Sequence, residues 1–340
     1  MKTLIIGPSW VGDMLMSQSL YRHLKQQDPK REIDVLAPNW CRPVLARMPE
    51  VNQAIEMPVG HGSLQWGIRK EIGKQLSTHQ YEQAFILPNS LKSALIPWFA
   101  DIPKRTGWRG EMRYGLLNDI RTLNKETFPL MVQRYVGLSH KKGSDALALE
   151  SILKPKLSTN KEQLASALEL FSLDGSNAIA FCPGAEFGPA KRWPDYHYAQ
   201  LAKTLIADGH QIWLFGSKKD QDVCEQITQQ LSEAEQQHCR NLAGSTSLPQ
   251  AIDLLSQSKA AVSNDSGLMH IAAAVDTPLV ALYGPTSPSF TPPLSDKATV
   301  IRLIEGFHKI RKGEADQGYH QSMIDISPDM AYSALKPWLK

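Results

Sequence analysis

Residues 260–284, AAVSNDSGLMHIAAAVDTPLVALYG, read as strand, polar turn, helix and strand. The apolar run 260–262 stops at Ser263-Asn264-Asp265-Ser266-Gly267, an Ala-rich helical pattern resumes over 268–274, and a second apolar run follows at 279–282. A helix that opens directly after a strand aims unpaired backbone N–H groups and the positive end of its dipole beyond the strand tip, which suits a phosphate. An ordinary N-cap by Asp265 or Ser266 accounts for the same turn, because capped strand-to-helix turns occur throughout α/β proteins. Residues 178–194, AIAFCPGAEFGPAKRWP, repeat the design: an apolar strand ends at Pro183-Gly184, and Lys191-Arg192 stand just before Trp193-Pro194. Two glycine-bearing strand-end loops in the same half of the chain, one of them basic, point to one crevice for an anionic ligand.

Working outward, the first half alternates strands (3–6, 32–36, 83–87) with helices (12–24, 43–48, 94–99). The second half restarts after the turn Asp174-Gly175-Ser176-Asn177 with strands near 179, at 211–215 and around 241–244, and helices over 196–207, 221–231 and 248–256. Repeated βα units imply mostly parallel sheets covered by helices. The expected fold class is therefore α/β, two Rossmann-like doubly wound domains in tandem, 1–165 and 166–340, with a ligand cleft where their strand ends meet. The last helix is expected to pack back on the N-terminal domain.

The 340 residues carry 37 Lys and Arg against 34 Asp and Glu, a formal charge of +3 that does not suggest a whole-surface nucleic-acid binder. Cys41, Cys182, Cys224 and Cys239 are scattered without a CxxC pair or a histidine at zinc-ligand spacing, and read as reduced packing thiols. The N-terminal apolar run before Gly7-Pro8 is too short for a signal-peptide core or a membrane span, so a first β-strand and a cytoplasmic protein are expected.

The first βα turn, Gly7-Pro8-Ser9-Trp10-Val11-Gly12-Asp13, is not G-x-G-x-x-G, and no acidic residue closes the next strand, so a nicotinamide dehydrogenase has little support. The turn does supply a carboxylate, Asp13, at a helix start; a plain interaction with the helix dipole explains it equally.

GPSWVGDMLMSQSLYR (7–22), LPNSLKSA (87–94), RTGWRGEMRYGLLND (105–119), PGAEFGPAKRWP (183–194) and NDSGLMHIAAA (264–274) occur in one order along nearly the whole chain. In these motifs the sequence resembles the ADP-heptose:lipopolysaccharide heptosyltransferases of glycosyltransferase family 9, in particular those that add the second heptose. The resemblance implies a GT-B fold, two Rossmann-like domains facing across a cleft. It also implies inverting transfer of heptose from ADP-L-glycero-β-D-manno-heptose to the first heptose of the lipopolysaccharide inner core. Location would be the inner face of the inner membrane, with a lipid A–Kdo–heptose acceptor.

Carried over residue by residue, the resemblance makes Asp13 the base and Lys191 the diphosphate contact. It lines the donor site with Asp265, Ser266 and Gly267, and the adenine pocket with Leu242, Gly244 and Thr246. Asp220 is placed to hold the ribose, or alternatively to cap a helix. His270 reads as a donor contact or as a buried histidine of the helix. Glu186 and Phe187 depart from the small hydroxyl residues of related first heptosyltransferases. For the acceptor, Ser9, Asn89, Lys92, Arg105, Arg109 and Arg113 are the expected set, with Arg302, Lys309, Arg311 and Lys312 as a second basic cluster. Charged faces of this kind are commonly only solvated. No DxD-type pair follows a strand, so metal-independent transfer by a monomer with no cofactor is expected. The alternative is a nucleotide-sugar-binding or epimerase-like protein of the same fold without a glycolipid acceptor.

Overall fold

The computed structural model describes residues 1–60, 62–186, 188–306 and 310–339, and the chain divides into two compact units, Met1–Leu157 and Ser158–Lys340. Phe187 and Lys309, named above, lie outside the described residues.

The first unit holds a parallel six-stranded sheet of β1 (Lys2–Ile6), β2 (Glu32–Ala37), β3 (Gln53–Glu56), β4 (Gln83–Ile86), β5 (Lys104–Trp108) and β6 (Asp119–Arg121) in the order β3-β2-β1-β4-β5-β6. The second unit repeats it with β7 (Ala178–Cys182), β8 (Gln211–Leu214), β9 (Cys239–Asn241), β10 (Ala260–Asn264), β11 (Leu279–Tyr283) and β12 (Ala298–Arg302), ordered β12-β11-β10-β7-β8-β9. Both are doubly wound sheets whose strand order reverses at the centre, between β1 and β4 and between β7 and β10. Central strands covered on both faces need uninterrupted apolar runs, and β7, β10 and β11 are buried at every residue, whereas the edge strands β3 and β12 are largely open.

The helix Val11–Gln27 also buries polar residues; Ser17, Gln18, Tyr21 and His23 have side-chain partners, while Ser19 Oγ has none among the described residues. Ser17 Oγ and Tyr21 Oη lie 2.8 Å apart, and the Gln18 side chain donates to the Lys156 carbonyl (2.7 Å) and accepts from the Lys156 N–H (3.0 Å). Gln18 thus holds the chain in the first unit up to Lys156. Four residues later the Asn160 N–H donates to Asp253 (2.8 Å), and the Asn160 side chain caps the helix Lys161–Leu170 at Gln163 N, which commits that helix to the second unit. The division at 157/158 therefore precedes the expected 165/166, which would cut this helix. The final helix Pro328–Leu335 puts Ala331 and Leu335 into the second unit's own core, in one cluster with Val280 and Leu282. Its i, i+4 apolar pair is fully absorbed there.

All four cysteines are free and buried, and burial pushes the thiols of Cys41, Cys182 and Cys239 up to about 12.

Candidate functional site

In the first unit, the loops after β1 and β4 flank the strand-order reversal, where open α/β sheets bind ligands. Gly7 follows β1, and a Cβ there would lie 2.8 Å from Met14 Cε and 3.2 Å from Val35 Cγ1, so a larger residue would have to push the Met14 side chain aside. Ser9 is fixed through its carbonyl, which accepts from Trp40 Nε1 (2.8 Å) and Cys41 Sγ (3.5 Å). Asp13 stands half-buried in the first helical turn, a position that favours a carboxylate. Its negative charge adds to burial in raising the pKa of Cys41 and Tyr135, which places it beside poorly solvated neighbours.

After β4, Asn89 is locked to the loop that follows β5. Its carbonyl accepts from the Glu111 N–H (3.1 Å), its side chain accepts from Arg113 Nη2 (3.3 Å), and Glu111 Oε2 accepts from the Leu91 N–H (2.7 Å). Gly110 presses on Asn89 so closely that a Cβ would lie 2.1 Å from the Asn89 carbonyl. Lys92 is half-buried on the same loop, and Arg109 is exposed at the C-terminal end of β5.

Two expected acceptor residues are placed otherwise. Arg113 is 2% exposed and donates to the carbonyls of Pro88 (2.7 Å) and Trp108 and to Ser93 Oγ (3.2 Å), with burial lowering its pKa to about 10. It clamps the Asn89 loop and is not a surface cation. Arg105 pairs in register with Ala84, near the N-terminal start of the sheet, and its guanidinium donates to the carbonyls of Ile102 and Leu116, each at 2.6 Å. It stands away from the strand ends that carry Asp13 and Asn89. Arg105 and Arg109 are both in the expected acceptor set, but a five-residue strand puts them at opposite ends, about 13 Å apart.

In the second unit, the loops after β7 and β10 meet at the corresponding reversal. Lys191 Nζ lies 2.8 Å from Asp265 Oδ2, both side chains largely buried. The helix Gly267–Ala274 begins at Ser266, whose side chain makes no cap hydrogen bond. Its first-turn N–H groups therefore face outward uncapped by a side chain, beside a lysine. The N-cap explanation of this turn does not hold: Ser266 Oγ contacts Ser263 Oγ (3.4 Å), and Asp265 pairs with Lys191. His270 is 7% exposed, its ring has no hydrogen-bond partner among the described residues, and burial lowers its pKa to about 4, with Asp265 raising it and Lys191 lowering it in smaller measure. It is a neutral imidazole next to the ion pair.

Asn264, not singled out from the sequence, holds these loops together. Its amide donates to the Pro183 carbonyl (2.7 Å), and its Oδ1 accepts from the Trp193 N–H and the Tyr198 hydroxyl, each at 3.1 Å. For this reason β10 runs on through buried Ser263 and Asn264 instead of stopping at 262. Trp193 in turn donates Nε1–H to the Ile326 carbonyl (2.8 Å).

Asp220 is the hinge of the neighbouring loops. Its Oδ2 accepts from Ser217 N–H (2.9 Å) and Oγ–H (2.7 Å), and its Oδ1 pairs with Arg192 at 3.4 Å. A Cβ on Gly184 would lie 2.5 Å from the Asp220 carboxyl carbon, and one on Gly216 2.7 Å from its Cβ, so both strand-end glycines make room for this side chain. Leu242 and Gly244 continue the β9 side of the same edge, with Leu242 N–H bonded to Leu214 and Gly244 N–H to Gly216. Gly244 takes φ +71°, and Thr246 Oγ1 donates to the Leu242 carbonyl (3.3 Å). Glu186 is exposed and pairs with Lys219 Nζ at 2.6 Å. Arg311 reaches the site through its backbone, its carbonyl accepting from the Ala190 N–H (3.2 Å). Among the described residues no group of three or more His, Cys, Asp or Glu could hold a metal ion.

The second unit thus offers a cation, uncapped helix N–H groups, a neutral imidazole and a small-residue edge, which is the chemistry of a nucleoside diphosphate site. Comparison with known proteins agrees. The sequence profile described as "Glycosyltransferase family 9 (heptosyltransferase)" matches residues 69–320. The chain is 58% identical to Lipopolysaccharide heptosyltransferase 2 of Escherichia coli (strain K12), covering 100% of this chain and 99% of that protein. It is also 58% identical to Lipooligosaccharide heptosyltransferase 2 of Haemophilus influenzae, with the same coverage. The solved structure of E. coli ADP-heptose lps heptosyltransferase II superposes with a TM-score of 0.90 at 55% identity, covering 100% of this chain and 98% of that one, and its fold is GT-B. The chain belongs to glycosyltransferase family 9, the heptosyltransferases.

Proposed function

We propose that this enzyme transfers L-glycero-D-manno-heptose from its ADP-heptose donor to the first heptose of the lipopolysaccharide inner core, with inversion at the anomeric carbon. The observation that carries the reading is Lys191 beside the uncapped start of the helix Gly267–Ala274, in a chain 58% identical over its whole length to a lipopolysaccharide heptosyltransferase 2.

In the reaction an acceptor hydroxyl forms a bond to the anomeric carbon while the bond from that carbon to the β-phosphate oxygen breaks, and ADP leaves with the electron pair. Asp13 takes the hydroxyl proton, which becomes acidic as the anomeric centre develops oxocarbenium character. Negative charge grows on the departing diphosphate, and Lys191 with the N–H groups of Gly267 and its neighbours stabilises it more in the transition state than in the ground state. Asp265 aims Lys191 and Asn264 fixes the two loops that carry the pair. His270, neutral at physiological pH, offers a hydrogen bond to the diphosphate or sugar without adding charge.

Leu242, Gly244 and Thr246 line the adenine side, Asp220 holds the ribose through the lone pairs left by Ser217 and Arg192, and Glu186 borders the donor. Ser9, Asn89, Lys92 and Arg109 contact the acceptor, with Arg113 positioning Asn89. Helix ends and Lys191 supply the charge that a divalent ion otherwise would, and transfer is metal-independent. The enzyme works as a monomer at the inner face of the inner membrane; no helix among the described residues is long and apolar enough to cross a membrane.

The test is product mass. Incubation of the enzyme with ADP-heptose and a lipid A–Kdo–heptose acceptor should add one heptose residue, with and without a chelator. Donor breakdown to free heptose or an epimer without an acceptor product would support the nucleotide-sugar-binding alternative instead.

A further inference from the structure

The first unit holds a cavity of about 740 Å³ at the edge of its sheet opposite to Asp13 and Asn89. Its lining comes from the starts of the strands: Arg31 precedes β2, Gln83 and Lys104 open β4 and β5, and Asp119 opens β6. Strands of five residues place this edge about 15 Å from the loops that carry the candidate acceptor residues. Among the described residues five cationic side chains line it, Arg31, Lys104, Arg121, Lys141 and Lys142, against the single carboxylate of Asp119.

That carboxylate is already used. Asp119 Oδ2 accepts from Arg121 (3.1 Å) and from Thr106 (3.0 Å). Arg121 spends Nη1 on the carbonyls of Gly137 and His140, and its buried Nε has no partner among the described residues. Arg31 is the sharper anomaly. It is 7% exposed, and among the described residues its guanidinium has no carboxylate within 4 Å, makes one hydrogen bond, a 3.5 Å contact to Thr3 Oγ1, and leaves its buried Nε unpartnered. Asp28 and Glu82 attract it only from a distance, and each lies 3.8 Å from the N-terminal amine.

A buried guanidinium without a counter-charge costs several kcal/mol, so a chain that keeps one gains most when an anion arrives to pair it. The helices Val11–Gln27 and Met131–Gly137 end near this edge, but a helix C-terminus carries only about half an elementary negative charge, too little to balance Arg31 and three lysines. The volume falls in the range of small-molecule sites, and Leu24, Phe85 and Leu138 give the cavity an apolar wall.

We propose that this cavity is a second anion site that takes a phosphate-bearing ligand, with Arg31 as the buried contact and Lys104, Lys141 and Lys142 closing on the phosphate from the mouth. The phosphate can be that of a soluble molecule or of an anionic lipid headgroup, and the assay separates the two.

Inorganic pyrophosphate is titrated calorimetrically into the full-length enzyme with saturating ADP present, so that the second unit's site is occupied. The enzyme should bind pyrophosphate, and Arg31→Gln should weaken that binding by about tenfold or more while ADP affinity is unchanged. Lys104→Gln with Lys142→Gln, two exposed lysines whose loss spares the fold, should weaken it as well. In a parallel arm, sedimentation with phosphatidylglycerol but not phosphatidylcholine vesicles, lost in the double variant, assigns the phosphate to a lipid. Pyrophosphate binding without vesicle binding assigns it to a soluble ligand. If neither pyrophosphate nor phosphatidylglycerol vesicles distinguish the parent from the lysine double variant, the proposal is overturned.

Discussion

Lys191 on the loop after β7 and Asp265 at the end of β10 form a 2.8 Å ion pair across two adjacent parallel strands. The chain brings together residues 74 positions apart because β7 and β10 are neighbours at the centre of the sheet, where the direction of winding reverses. A charge-assisted contact of this length, with both side chains largely buried, fixes the lysine where the uncapped helix N–H groups converge.

Lys191→Met should lower kcat by about 10²–10³, the usual cost of removing one stabiliser of a developing oxyanion. It should also destabilise the fold by about 1–3 kcal/mol, because Asp265 keeps a largely buried charge without its partner. Adding Asp265→Asn should recover much of the stability and none of the turnover. Urea denaturation and steady-state kinetics on the two single variants and the double variant measure both terms; strictly additive stability losses would contradict the coupling.

Asp13→Asn should reduce kcat by about 10²–10⁴ while leaving ADP affinity and thermal stability close to the parent, as befits a base in an otherwise intact unit. Calorimetry with ADP and single-turnover transfer give the two numbers. A loss of ADP affinity equal to the loss of rate would remove the base assignment.

His270 has a folded-state pKa near 4 against 6.5 when unfolded, so below pH 6.5 the unfolded chain binds the extra proton. Its stabilising contribution is complete above pH 6.5 and declines as the pH falls toward 4, by at most about 3 kcal/mol. His23 and His140 are lowered by burial too, so the observable is the difference between proteins. Between pH 6.5 and 4, His270→Gln should lose less stability than the parent. Parallel curves in urea at pH 7, 6 and 5 would show that the imidazole is not neutral in the folded chain.

The placement of the two arginines separates their effects. Arg109→Glu should raise the acceptor KM several-fold with the donor KM unchanged. Arg105→Gln should cost stability, about 1–3 kcal/mol for the carbonyls of Ile102 and Leu116 left unpaired, with little change in either KM. Equal effects of both substitutions on acceptor KM would contradict the strand register that sets them at opposite ends of β5.

The doubly wound pattern was readable because its central strands are continuous apolar runs ending in Gly, Pro or Asn, as at 178–184 and 260–267. The edge strands β3, β6 and β12 and the inner strand β5, short or bearing charged residues, carry no such pattern and are absent from the sequence expectation. So is the helix Lys161–Leu170, although Asn160 followed by Gln163 is a helix-start spacing. In the site, Asp13, Lys191 and Asp265 stood out because charged residues beside strand-end glycines are conspicuous in sequence. The roles of Asn264, Glu111 and Arg113 were hidden, since each depends on which loop lies against it, and that follows from strand order rather than from local sequence. Asp220 shows the same dependence, because Gly184 and Gly216 matter for the room they leave to a side chain on another loop.

The most direct measurement is ADP release from ADP-heptose with two acceptors, one lipopolysaccharide core that already bears a single heptose and one that bears none. Release with the heptosylated acceptor alone, slowed by about 10²–10³ in Lys191→Met, is the predicted result. Equal release with both acceptors, or none with either, would contradict transfer of the second inner-core heptose.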